Sequence, residues 1–131
     1  MSYRLDGLGK DINNILRMAT AMMTGAFQEK YKQPKFMENA MQKMWLRRWF
    51  QMIDEGEINE AENELLDILT RERETEGIHV QLFFEALEVY EYMNEKDDAF
   101  LEKNNYCREE ILEGIQGVLS MSGIRLPGIT D

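Results

Sequence analysis

The stretch Asp11-Ile-Asn-Asn-Ile15-Leu-Arg17-Met-Ala-Thr-Ala-Met22-Met23-Thr-Gly-Ala-Phe27-Gln28 decides the fold class. Its apolar residues Ile12, Ile15, Leu16, Ala19, Met22, Met23, Ala26 and Phe27 recur at intervals of three and four. That is the period of one face of an α-helix, and it predicts a helix over about Asp11 to Lys30. Between Ile12 and Gln28 the only charged side chain is Arg17. A helix with its back in water normally carries charges there, so this one is expected to be contacted on more than one side.

Outward from this stretch the helical period persists. Gln33-Pro34 breaks the chain, because proline disfavours helix in the residue before it. A second helix is expected over about Phe36 to Asp54, with Met37, Met41, Met44, Trp45, Trp49, Met52 and Ile53 as its stripe and Gly56 at its end. A third begins at Asn59, with Glu62 three residues later as its capping partner, and carries Ala61, Leu65, Ile68 and Leu69. A fourth, after Gly77, carries Leu82, Phe83, Ala86, Leu87, Tyr90 and Met93 and ends near Asn94. Asp97-Asp98 starts a short fifth turn holding Phe100 and Leu101, and a sixth helix runs from Arg108 to Gly123. About ten N-terminal residues and the tail Gly-Ile-Arg-Leu-Pro-Gly-Ile-Thr-Asp are expected to be loose.

Composition agrees with an all-α chain. The 131 residues include eighteen Glu, thirteen Leu and ten Met against three Val and two Pro, and 92 residues separate Pro34 from Pro127. Helices favour Leu, Met, Glu and Ala, and strands favour β-branched residues. The length suits one domain, here a compact bundle of five to six helices. Hydrophobic content of 44% excludes a disordered acidic chain. The lone Cys107 cannot form an internal disulfide, no apolar h-region opens the chain, and no run of eighteen apolar residues exists. A cytoplasmic protein that neither spans nor lies on a membrane is expected.

The net charge of −10 is unevenly spread: residues 1–50 carry nine Lys/Arg against four Asp/Glu, and residues 51–131 carry six against twenty-one. Packing of the basic part beside the acidic part is the expected outcome, with a reciprocal contact between subunits as the alternative. The overall negative field opposes nucleic acid.

No constellation in the sequence encodes a reaction. Glu76 and His79 have the Glu-x-x-His spacing of di-iron bundles, but those sites need the motif twice and His79 is the only histidine. No metal or cofactor is expected. The pairs Glu60/Glu64, Glu85/Glu88, Glu91/Glu95 and Glu109/Glu113 read as solvated outer faces rather than acid–base dyads. Cys107 stands at a helix start, which favours a thiolate only modestly, and Arg108, Glu109 and Glu110 give no clear bias. Lys43, Arg47 and Arg48 interleave with Trp45, Trp49 and Phe50, yet Trp45, Trp49 and Ile53 share one face and Lys43 and Arg47 another, as on a core helix with a charged edge.

Two resemblances add to this reading. The helix ending Trp49…Ile53, then Gly56, Glu60-Ala61, Leu65 and Ile68-Leu69, looks like one tetratricopeptide hairpin, with small Ala61 permitting close approach. The pattern does not recur after thirty-four residues, so one hairpin inside a bundle is expected, not a solenoid. The run Gly56-Glu-Ile-Asn-Glu-Ala-Glu-Asn63-Glu-Leu-Leu, together with Ala86-Leu-Glu-Val-Tyr90…Asn105-Tyr106-Cys107-Arg-Glu-Glu-Ile111, resembles an uncharacterised bacterial all-helical family. That resemblance implies an all-helical fold and no assigned reaction. Cys107 stands where the family has a serine, so a weak thiol replaces the capping hydroxyl.

The function expected from these readings is a non-catalytic helical interaction module, homodimeric and able to recognise a protein partner. The expected dimer seam is Ile15, Met22, Met23 and Phe27 on the first helix, whose other flank packs on the second helix. Hairpin packing is assigned to Trp49, Gly56, Ala61 and Leu65. The alternative is a small enzyme or ligand-binding bundle with an apolar pocket among the Met and Trp side chains of the first two helices.

Overall fold

The computed structural model describes the backbone of residues 5–26, 40–72 and 78–126 and the side chains of residues 9–26, 45–71 and 82–126. These residues form six helices: α1 (Leu5–Ala26), α2 (Ala40–Asp54), α3 (Ile58–Glu72), α4 (Ile78–Asn94), α5 (Asp98–Lys103) and α6 (Arg108–Ser122). No strand occurs among the described residues.

Helix α4 is the hub. It packs against α1, α2, α3 and α6, while α1 also meets α6 and α2 also meets α3. Its sequence explains the position: Leu82, Phe83, Ala86, Leu87, Val89, Tyr90 and Met93 are all buried and form an apolar arc wide enough to meet several neighbours, while Glu88 and Glu91 stay on the exposed side. Around it one continuous core joins Ile12, Leu16 and Met23 of α1, Trp49 and Ile53 of α2, Leu65 and Leu69 of α3, and Ile111, Ile115 and Leu119 of α6. Helix α1 therefore buries its stripe against α4 and α6, whereas the sequence reading set it against the second helix.

Three helices end in the same way. After α2, Gly56 adopts φ +86°, its N–H donates to the Ile53 carbonyl, and the Glu57 N–H reaches the Met52 carbonyl at 2.8 Å. After α5, Asn105 (φ 59°) and Tyr106 repeat the pair of bonds to Glu102 and Leu101, and after α6, Gly123 (φ 80°) and Ile124 do so to Ser120 and Leu119. Each is a Schellman ending, which satisfies carbonyls the helix leaves open, and after α5 and α6 it turns the next residue inward. Tyr106 and Ile124, the residues turned inward, are both buried.

Three local expectations need correction. Helix α1 starts at Leu5 rather than near Asp11, because its first turns are held from outside: Asn94 Nδ2 donates to the Gly9 carbonyl at 2.9 Å and to Asn13 Oδ1 at 3.1 Å. Helix α3 starts at Ile58, so Asn59 lies inside it. Its side chain donates to the Asn105 carbonyl at 3.3 Å instead of capping, and Glu62 is engaged by Tyr90. The C-terminal tail packs as far as Leu126, which is buried with Ile124 beneath the α6 ending.

Candidate functional site

Part of the surface of α1 that its neighbours leave uncovered is apolar. Met18 and Met22 are 50% and 45% exposed, the large hydrophobic residues that stand out on the described surface. One turn apart on the helix, they share a flank with exposed Gly25 and Ala26. Behind them Ile15 and Met23 are almost fully buried in the chain's own core. Of the four residues expected to form a seam, Met22 is on the outer flank, Ile15 and Met23 form its base, and Phe27 lies outside the described residues. Met18 extends the flank. It escaped the sequence assignment because it falls at the edge of the three-and-four stripe.

On the other flank of α1 an open groove of about 790 Å³ separates it from α4. Leu16, Ala21, Phe84 and Leu87 form its apolar lining, Asn13, Arg17 and Thr20 one wall, and Glu88, Glu91 and Glu95 the other. Burial of the carboxyl, and then the charge of Glu91, push Glu88 above the usual carboxylate range. A second groove of about 430 Å³ lies between α3 and α6, edged by Glu62, Glu110 and Glu113 and widened by Gly114 and Gly117. Neither groove is lined by a tryptophan. Trp49 is instead fully buried, with its indole N–H donating to Glu64 at 3.2 Å.

The buried polar groups in the fold act as struts. Arg108, at the start of α6, donates from Nη1 to the Asn94 carbonyl and side-chain oxygen, both at 2.7 Å, and from Nη2 to the Lys96 carbonyl at 2.7 Å. Its Nε reaches Asp98 at 3.1 Å. A guanidinium thus closes the C-terminus of α4, where carbonyls lack helical partners and positive charge is favoured. Asn94 passes the connection to α1, so one network joins α1, α4, α5 and α6. Elsewhere Tyr90 donates to Glu62 at 2.7 Å from beneath Gly114, and the buried Tyr106 hydroxyl lies beside the same carboxylate without a well-formed bond. Desolvation, then the negative charge of Glu62, drives both phenols far above their ordinary range and keeps them protonated.

These arrangements hold helices; they do not activate a nucleophile. Partial burial, outweighing the bond that the Glu110 backbone N–H donates to the sulfur, pushes the Cys107 thiol up, away from the reactive thiolate. The Cys107 N–H donates to Glu110 at 3.1 Å and the thiol donates to the same carboxylate at 3.5 Å, so α6 starts firmly at Arg108 without a hydroxyl cap. Among the described residues no group of three or more His, Cys, Asp and Glu is placed to hold a metal ion. Glu76 and the His79 side chain lie outside the described residues. No described helix is long and apolar enough to cross a membrane.

The hairpin residues lie where α2 turns into α3. Trp49, Ala61 and Leu65 are fully buried, and a side chain at Gly56 would collide with Asn104 as well as strain the backbone. The carboxylates expected on solvated faces divide. Glu85 is buried, and Glu64 receives a bidentate contact from Arg48 at 2.7 and 3.0 Å, which with Trp49 lowers its pKa. That contact joins the basic first part of the sequence to the acidic second part. The Arg108–Asn94 and Tyr90–Glu62 pairs could not be found from periodicity, since each joins positions far apart in the chain.

Fold and surface together define an all-α helical bundle whose notable features are helix faces and grooves. The chain belongs to DUF6483, a family of unknown function, whose sequence profile matches residues 3–123. No curated protein and no solved structure matches it.

Proposed function

We propose that the chain is a non-catalytic helical interaction module that self-associates through the outer flank of α1. The observation that carries this reading is the pair Met18 and Met22, half exposed on a flank with no charged residue between them, beside Gly25 and Ala26. Exposed apolar patches of this kind mark contact surfaces, and small residues let two helix backbones approach closely. A twofold axis beside Met22 would bring the same flank from each copy together. Methionine suits the task because its flexible, polarisable side chain adapts to a facing surface. The α2–α3 hairpin, tetratricopeptide-like in this reading, braces α4 from the far side.

The test is light scattering of the wild type and of Met18→Glu/Met22→Glu at micromolar concentration. A dimer is expected for the wild type and a monomer for the variant, with helical circular dichroism unchanged because both positions are exposed. A monomeric wild type would reject the proposal.

A further inference from the structure

From the groove between α1 and α4 we infer a second docking surface, whose occupant is a basic amphipathic helix of another protein. The groove lies on the flank of α1 opposite Met18 and Met22, so the inference stands apart from self-association. Asn94, at the C-terminal end of α4, bonds Gly9 and Asn13 of α1, and the lining extends from there to Ala21 on α1 and back to Phe84 on α4, so the two helices run antiparallel along the groove. Nine residues of α1, Asn13 to Ala21, span it, about 12 Å or a little over two helical turns.

Three features specify the occupant. The lining of Leu16, Ala21, Phe84 and Leu87 receives apolar side chains. Glu88, Glu91 and Glu95, spaced three and four residues apart, form a single ridge along one wall. A helix laid beside that ridge matches it with Lys or Arg at the same spacing. Three other carboxylates at helix contacts have cations: Asp54 has Lys96, Glu64 has Arg48 and Asp98 has Arg108. The ridge carboxylates have no ion-pair partner among the described residues. The opposite wall is Asn13, Arg17 and Thr20, so the basic residues of the occupant belong on only one side of its apolar stripe.

The inference is tested by fluorescence anisotropy on the full chain with a labelled synthetic helix of about 18 residues. The probe carries a leucine stripe with lysines along one flank; a second probe has glutamines in place of the lysines. Saturable binding of the first probe is expected, weakened about tenfold or more by Glu88→Gln/Glu91→Gln/Glu95→Gln, in line with three exposed ion pairs. Little change is expected from Glu60→Gln/Glu102→Gln/Glu113→Gln, which removes the same charge elsewhere. Ala21→Arg, an exposed position where arginine keeps the helix, should also weaken binding by obstructing the groove. The inference is overturned by absence of binding, by equal weakening in the two triple variants, or by equal affinity for the two probes. Release of monomer from a dimer on adding the probe would assign the groove to a second copy and overturn it as well.

Discussion

Gly114 and Gly117 lie three residues apart on α6 and face different surroundings, so alanine at each should move stability in opposite directions. A Cβ built on Gly117 meets nothing within 4 Å. Alanine there should add about 1 kcal/mol, the ordinary gain of replacing a helical glycine. A Cβ on Gly114 would run into the Tyr90 ring and hydroxyl, well inside van der Waals contact. Relief needs a movement of roughly 1 Å, and neither partner is free to move. Tyr90 is fully buried and held by its bond to Glu62, and α6 is anchored through Ile111, Ile115, Val118 and Leu119.

Overpacking of this kind costs about 1–3 kcal/mol, and displacing the phenol from Glu62 costs about 1.5–3 kcal/mol more. Against the propensity gain of about 1 kcal/mol, the net for Gly114→Ala is a loss of about 1.5–5 kcal/mol. For a chain of this length 1 kcal/mol is about 4 °C in Tm. Urea unfolding followed by circular dichroism measures both variants under one baseline. In a Tyr90→Leu background the Gly114→Ala penalty should shrink, giving a coupling of about 1 kcal/mol or more. A Gly114→Ala protein as stable as Gly117→Ala would refute the close approach of α6 to Tyr90.

Two further outcomes are expected. Arg108→Lys should lower stability by about 1.5–3 kcal/mol, because an ammonium cannot serve Asn94, Lys96 and Asp98 from one planar fork; thermal melting near the wild-type value would mean water replaces those bonds readily. Asp54→Asn should be slightly destabilising at neutral pH, by less than about 1 kcal/mol, and the difference should close in acid. The sign follows from the bonds that Lys96, and then Tyr92, make to Asp54, which hold its folded pKa below the usual carboxylate range. That stabilisation is complete above the unfolded value of about 4 and disappears as pH falls through the lower folded value, so melts at about pH 7 and pH 3 should diverge and then converge.

What could be read from the chain divides along a physical line. Positions of α2, α4, α5 and α6 follow from periodicity and stop signals, both carried by neighbouring residues, as at Gly56, Asn94 and Gly123. The early start of α1 escapes because Gly7 and Gly9 argue locally against helix, and the support comes from Asn94, more than eighty residues away. The α3 cap escapes for a similar reason: Tyr90 engages Glu62, which a capping box would have used. Met22 is assigned to a seam because one charge in seventeen positions is visible in sequence, and the structure leaves its side chain half exposed. The α1–α4 groove was not legible, since Glu88, Glu91 and Glu95 gain their meaning only when α1 lies antiparallel beside them.

The two surfaces of α1 are separable by their electrostatics. The chain carries a net charge of −10, so two copies repel, and an α1 contact lets them meet on a face where the charges are sparse. Higher salt screens that repulsion and removes no attractive ion pair, so self-association through Met18 and Met22 should hold or strengthen as salt rises. The groove works the other way, because its attraction for a basic helix is the ridge of Glu88, Glu91 and Glu95, and screening weakens it. Light scattering and peptide anisotropy at about 50 and 500 mM NaCl should therefore respond with opposite signs. Parallel loss of both at high salt would mean that the dimer is held by charge, as the uneven distribution between residues 1–50 and 51–131 allows, and that the apolar flank of α1 is not the seam.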